Sequence, residues 1–384
     1  MKVALKQRVA KGGWNHVNDI KVKRPQLVLA FGSVAMIGDK SNFDDLRTEY
    51  PDAHIVMCST AGEIIGNDVV DDSLSLAAIE FEKKGSGIKI VQADIAEAAQ
   101  SRDVGKTLAA GLPREGLVHA IVFSDGILVN GTALVDGLLS DLPKDVSVTG
   151  GLVGDGAAFK KTLIGADAPA VSGKVVLIGL YGEKLRIGYG SLGGWDTFGP
   201  VRTITKSEGN VLYEIDRKPA LALYKEYLGE RAAELPGSGL LFPLSLTLKR
   251  ADGSQVEVVR TLLGVNEERQ SMTFAGDMPT GVNMRLMKAN FERLIDGAAT
   301  AAKVSTSENK GEIPQLALLI SCIGRKLVLK ERTFEEIMAV RENVGPDTAI
   351  IGFYSYGEIC PFTSKEKQCQ LHNQTMTITT ISET

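Results

Sequence analysis

A unit near the start of this chain is written again near its end, and that repetition restricts the fold more than any single motif. The first copy runs Pro25-Gln26-Leu27-Val28-Leu29-Ala30-Phe31, then an amphipathic stretch from Phe43 to Tyr50, then His54-Ile55-Val56-Met57-Cys58-Ser59-Thr60-Ala61-Gly62-Glu63-Ile64. The second runs Pro314-Gln315-Leu316-Ala317-Leu318-Leu319-Ile320, then helical spacing from Phe334 to Glu342, then Ile350-Ile351-Gly352-Phe353-Tyr354-Ser355-Tyr356-Gly357-Glu358-Ile359. Short apolar runs predict buried strands, and the 3.6-residue spacing between them predicts a helix. A weaker third version opens at His119-Ala120-Ile121-Val122-Phe123, passes a helix from Thr132 to Leu142 and closes on Val146-Ser147-Val148-Thr149-Gly150-Gly151-Leu152-Val153-Gly154-Asp155, with Asp in place of Glu. Shared Pro-Gln starts and Gly-Glu-Ile ends make duplication of a strand-helix-strand unit the preferred account.

A chain of 384 residues is long for one core and suits two domains at roughly 150 residues each. We expect a mixed α/β fold in which an N-terminal arm (1–23) precedes one domain over 24–217 and a second over 218–384, each burying its own sheet. Gly173–Leu180 and Leu185–Tyr189 are predicted to form a hairpin turning at Gly182. Beyond Asp216, Lys218–Leu235 is predicted helical with Pro219 in its first turn. Leu244–Leu248 and Gln255–Val265 are predicted antiparallel about Asp252-Gly253, and Met284–Ala302 helical.

Net charge of −4 from 43 basic and 47 acidic residues gives no excess for a polyanion, which argues against nucleic acid as the main ligand. No run approaches the roughly 20 apolar residues of a membrane span, and the start lacks a secretory pattern. Four cysteines need no disulfide framework, so a cytoplasmic protein is expected. Gly32–Ser41 has the wrong spacing and an intruding Asp39 for a phosphate loop. The glycines at Gly150-Gly151 and Gly154 precede Gly165, Pro169 and Gly173 rather than the long helix of a dinucleotide fold.

In the first half the notable segments are Cys58-Ser59-Thr60-Ala61-Gly62-Glu63-Ile64, Ser124-Asp125-Gly126 and Gly150-Gly151-Leu152-Val153-Gly154-Asp155. The second half adds Ala220-Leu221-Ala222-Leu223-Tyr224, Phe242-Pro243-Leu244, Ser321-Cys322-Ile323-Gly324-Arg325, Gly352-Phe353-Tyr354-Ser355-Tyr356-Gly357-Glu358-Ile359 and Leu371-His372-Asn373-Gln374-Thr375. Together these segments resemble the FIST family of sensory domains. The resemblance implies a sensory input module for small molecules such as amino acids, with some members haem proteins that sense nitric oxide and act on histidine kinases. No kinase, cyclase or DNA-binding segment is recognised here, so output is expected in trans, to a histidine kinase or a cyclic-nucleotide signalling enzyme. A homodimer is compatible with this.

Strand ends in α/β sheets open into crevices, and Gly lets a ligand approach the backbone. Gly62 with Glu63 and Gly357 with Glu358 are therefore candidate ligand contacts, joined by Ser59, Thr60, Ser355, Tyr356 and Asp155. The alternative is that the carboxylates cap helices or bind each other's backbone across a pseudo-symmetric interface. His372 is expected on one strand face with Gln374, Met376 and Ile378, its imidazole inward as a candidate haem ligand beside Tyr354 and Tyr356; a buried histidine bonded to backbone is the alternative. Cys360, Cys369 and His372 form half of a metal-site pattern, with inert thiols as the alternative. Two other classes stay open: a hydrolase-like enzyme with Cys58 or Ser124 as nucleophile, for which no base can be named, and a ligand-free docking scaffold.

Overall fold

The computed structural model describes residues 1–9, 12–249, 253–307, 312–361 and 369–384. All three versions of the repeated unit fold alike, and in chain order they are the first repeat (from Leu27), the second (from Leu117) and the third (from Leu316). Each has an opening strand (Leu27–Gly32, Leu117–Ser124, Leu316–Cys322), a helix (Lys40–Glu49, Gly131–Asp141, Thr333–Val344) and a closing strand (His54–Ser59, Ser147–Leu152, Ala349–Ser355) parallel to the opening one. A return strand (Ser73–Glu80, Lys174–Tyr181, Met376–Glu383) then pairs antiparallel with the opening strand, and an edge strand from earlier in the chain (Lys2–Val9, Gly87–Asp94, Leu185–Leu192) pairs with the return strand.

Between closing and return strands the chain leaves its own sheet. The crossing strand Glu63–Ile65 of the first repeat pairs with the closing strand of the third. Gly357–Pro361 of the third pairs with the closing strand of the second, and Ile164–Ala166 of the second with the closing strand of the first. Three sheets are thus locked in a closed ring of exchanged strands. This corrects the expectation that each half buries its own sheet: two of the three sheets draw strands from both halves. The physical reason is that a crossing strand of three to five residues gains most by covering a neighbour's exposed edge. Within the N-terminal arm expected over 1–23, Lys2–Val9 is fully paired along the first return strand.

Strand alternation explains the layers. Leu27, Leu29 and Phe31, Ile121 and Phe123, and Leu316, Leu318 and Ile320 point into one core shared by all three sheets. Their neighbours Val28 and Ala30, Ala120 and Val122, and Ala317 and Leu319 face outward into helix-covered cores. Each such large apolar side chain contributes about 1.5–3 kcal/mol on burial. At the centre the rings of Phe31, Phe123 and Phe353 stand 4.9–5.9 Å apart. Register places Cys58, Gly151 and Phe353 opposite Phe31, Phe123 and Ile320 respectively. The third repeat therefore carries its ring on the closing strand, and Ile320 fills the space a side chain at Gly151 would need.

An inserted unit lies between the edge and opening strands of the third repeat. Strands from Asp196 to Lys288 form a further sheet with its own core around Tyr224, Leu246 and Phe274. Leu244–Lys249 pairs with Gln255–Arg260 as expected, although Asp252 of the proposed turn lies outside the described residues. Pro219 precedes a helix shorter than predicted, Ala220–Leu228, followed by a 3-10 turn. Asn283–Lys288 is a strand rather than helix because it is paired on both sides, and the helix begins at Phe291, capped by the Asn290 side chain. The predicted hairpin at Gly182 is instead a turn between two sheets: Lys174–Tyr181 pairs in the second and Leu185–Leu192 in the third. Among the described residues no helix is long and apolar enough to cross a membrane.

Candidate functional site

The two Gly-Glu-Ile segments begin the first and third crossings, and their carboxylates perform the same task. Glu63 accepts from the Thr60 hydroxyl on one oxygen and from the Ser73 amide (3.1 Å) and hydroxyl (2.8 Å) on the other. Glu358 accepts from Ser355 Oγ (2.7 Å) on one oxygen and from Thr375 amide (3.2 Å) and hydroxyl (3.0 Å) on the other. Each glutamate thus ties the departing chain to the head of its own return strand. Both are buried, and desolvation outweighs these bonds, pushing Glu63 up to about 7 and Glu358 up to about 8.

Their surroundings differ. Glu63 lies on the wall of a cleft of about 840 Å³ to which all three repeats contribute. The first supplies Ser33, Thr60 and Asp71, the second Asp155, and the third Lys326 and Lys330. Lys326 Nζ donates to Ala61 O (3.0 Å) and to the Asp71 carboxylate, and sits 5.6 Å from the Tyr354 ring centroid. Gly62 has φ +132°, and a Cβ there would fall 2.2 Å from Lys326 Nζ, so glycine is what lets this lysine reach the cleft wall. Asp155 is held by the amides of Phe159, Lys160 and Lys161, each at 2.8 Å, and by the Tyr356 hydroxyl.

Of the residues expected here, Thr60, Gly62, Glu63 and Asp155 line one cleft. Ser59 lies behind it, donating to Gly154 O and accepting from Leu163 N. Tyr356 supports the Asp155 loop, stacked on Phe159 at 4.4 Å. Ser355, Gly357 and Glu358 do not join the cleft; the inserted unit covers that region, with Gln374 Nε2 donating to Leu240 O and Trp195 Nε1 to Gln374 O. Sequence reasoning missed Lys326, Lys330 and Asp71. Lys326 adjoins the quoted Ile323-Gly324-Arg325 segment, but only the exchange of crossing strands carries it to Gly62.

His372 is buried, as the alternative of a backbone-bonded histidine expects. Its Nε2 meets Cys360 O at 2.9 Å, and burial lowers the ring's pKa to about 4. Tyr354 directs its hydroxyl to Glu336 (3.3 Å), so it and Tyr356 are engaged elsewhere. The strand ends at His372 and resumes at Met376, with Gln374 at φ +64°, so the expected shared face with Gln374 and Met376 is broken. Cys360 and Cys369 are buried, with thiol pKa values raised by desolvation. No group of three or more His, Cys, Asp or Glu side chains is arranged to hold a metal among the described residues. Cys58 and Ser124 are fully buried and do not line the cleft.

The FIST N domain matches residues 26–218 and the FIST C domain residues 220–361. An uncharacterized protein of Methanocaldococcus jannaschii is 27% identical over 363 residues, an alignment covering 83% of this chain and 66% of that protein. The present chain therefore spans just under two thirds of that relative's length.

Proposed function

This chain belongs to the FIST family, and on that footing we propose that it is a sensory module whose three-repeat cleft binds a small zwitterion of the amino-acid class. The observation that carries this is the meeting of cationic Lys326 and Lys330 with anionic Asp71 and Asp155 around about 840 Å³ of space. A carboxylate suits the lysines and an ammonium suits the aspartates. One or two charge-assisted hydrogen bonds, at about 1.5–3 kcal/mol each, reach much of the roughly 4–8 kcal/mol of millimolar to micromolar binding. Because each wall belongs to a different repeat, an occupant bridges them and biases their arrangement.

A separate partner, a histidine kinase or cyclic-nucleotide signalling enzyme, then reads that bias in a reducing, cytoplasmic setting. The four unpaired, buried cysteines support that compartment. Binding proceeds without turnover. Haem and nitric oxide are disfavoured by the engagement of His372 Nε2 with Cys360 O. Titration calorimetry against the common amino acids tests the proposal: at least one binds at millimolar affinity or better, with tenfold loss in Lys326→Met and in Asp155→Asn. Full affinity in both variants, or no binding across the panel, removes it.

A further inference from the structure

Among the described residues, two arginines are buried, with opposite arrangements. Arg325 directs Nε and Nη2 at Glu336 (2.9 and 2.7 Å), with Gly193 O and Leu294 O taking further donors. Arg260, only 3% exposed at the end of the inserted strand Gln255–Arg260, has no such carboxylate. Its Nε donates to Asp277 O (3.1 Å) and its Nη1 to Val259 O and Leu371 O (3.2 Å each). Among the described residues Nη2 has no acceptor and no acid lies within ion-pair range of the guanidinium. The neighbouring Asp277 carboxylate accepts from Asn130 Nδ2 at 2.9 Å. A buried cation with no ion-pair partner is costly, and burial, partly opposed by the Asp277 carboxylate, lowers its pKa to about 10, which leaves it charged at neutral pH.

Arg260 lines a cavity of about 670 Å³ between the second repeat's helix Gly131–Asp141, the strand Cys369–His372 and the inserted sheet. Its volume is that of an ordinary small-ligand site. The walls are largely apolar, with Val135, Leu139, Leu142 and Leu371 among them. Asp136 also lines the cavity, 3.8 Å from Arg102, and its charge disfavours a ligand with more than one negative charge.

We propose that this cavity is a second binding site, distinct from the cleft, for a monocarboxylate with an apolar body whose carboxylate pairs with Arg260 Nη2. The occupant would supply the anion that Arg260 lacks, place its hydrocarbon among the leucines, and join the inserted sheet to the second repeat.

Calorimetry on the full chain with octanoate, and with octanol as its neutral counterpart, tests this. Octanoate is expected to bind at least tenfold tighter than octanol. Arg260→Met should remove that preference. Leu139→Trp, which fills the cavity and keeps the arginine, should weaken both ligands at least tenfold, whereas Lys326→Met in the cleft should change neither. The proposal is overturned if octanoate binds no better than octanol, if its affinity survives Leu139→Trp, or if the wild-type chain binds neither.

Discussion

The first and third crossings share a Gly-Glu-Ile segment and the same three-donor arrangement around the glutamate, yet one stands beside an open cleft and the other beneath an inserted unit. The shared part is architectural: each carboxylate anchors the point where the chain departs for a neighbouring sheet. The difference comes from what the third repeat carries in addition, namely the inserted sheet and the Arg325–Glu336 pair behind Glu358. A motif of this kind specifies how the chain crosses. Whether the crossing becomes a binding site depends on which elements are left around it.

The largest expected effect lies in the feature found only on the third side. Arg325→Ala leaves Glu336 buried and uncompensated, and should cost about 3–5 kcal/mol in chemical denaturation. A cost near that of an exposed residue would dissolve the contrast. Next come the glutamates themselves. Glu358→Ala strands Ser355 Oγ and the Thr375 donors inside the protein, at about 2–3 kcal/mol, while Glu63→Ala, beside the cleft where water can approach, should cost about 1–2 kcal/mol. Equal melting-temperature losses would show that the cleft does not relieve the first crossing.

Titration sharpens the same comparison. Both carboxyls keep their proton to higher pH in the folded chain than the ordinary 4.5, Glu63 to about 7 and Glu358 to about 8. From pH 4.5 up to those values the folded state binds more protons than the unfolded one, so these groups make stability fall as pH rises. The loss per group should reach on the order of 1 kcal/mol per pH unit at its steepest. Glu358→Gln should flatten the profile up to about pH 8 and Glu63→Gln only up to about pH 7, measured by urea midpoints across pH 5–9. A profile that both variants leave unchanged would show that neither carboxyl is held protonated. The smallest effect on stability is expected at Lys326→Met, under about 1 kcal/mol since its partner Asp71 is exposed. Its consequence should appear in amino-acid binding instead.

Much of the fold was legible because it is local. The strand-helix-strand units announce themselves through apolar runs of five to seven residues and a helical period between them, and even the weak second repeat folds as its pattern predicts. The hydroxyls near Glu63 and Glu358 could be named as candidates for a similar reason, lying three residues before each glutamate. Illegible parts were those fixed by distant pairing. Met284–Lys288 has a composition that suits helix or strand and became a strand by lying between two others. Gly173–Tyr189 has the signature of a hairpin, but each half found a longer partner elsewhere. His372 could be placed inward by alternation, whereas the carbonyl that occupies its Nε2 belongs to Cys360 across a strand pair.

By itself the sequence determined a mixed α/β fold, three strand-helix-strand units and two buried Gly-Glu turns, because periodicity, turn chemistry and burial preference act over a few residues. Only the tertiary structure decided that the units exchange strands in a ring, that Lys326 meets Gly62 and Asp155 in one cleft, and that Arg260 is buried with no acid in ion-pair range among the described residues. Those outcomes depend on which sheet edge a strand of three to five residues covers. So short a segment carries too little pattern to name its partner, and the choice is made by the edges left open when the rest of the chain has folded.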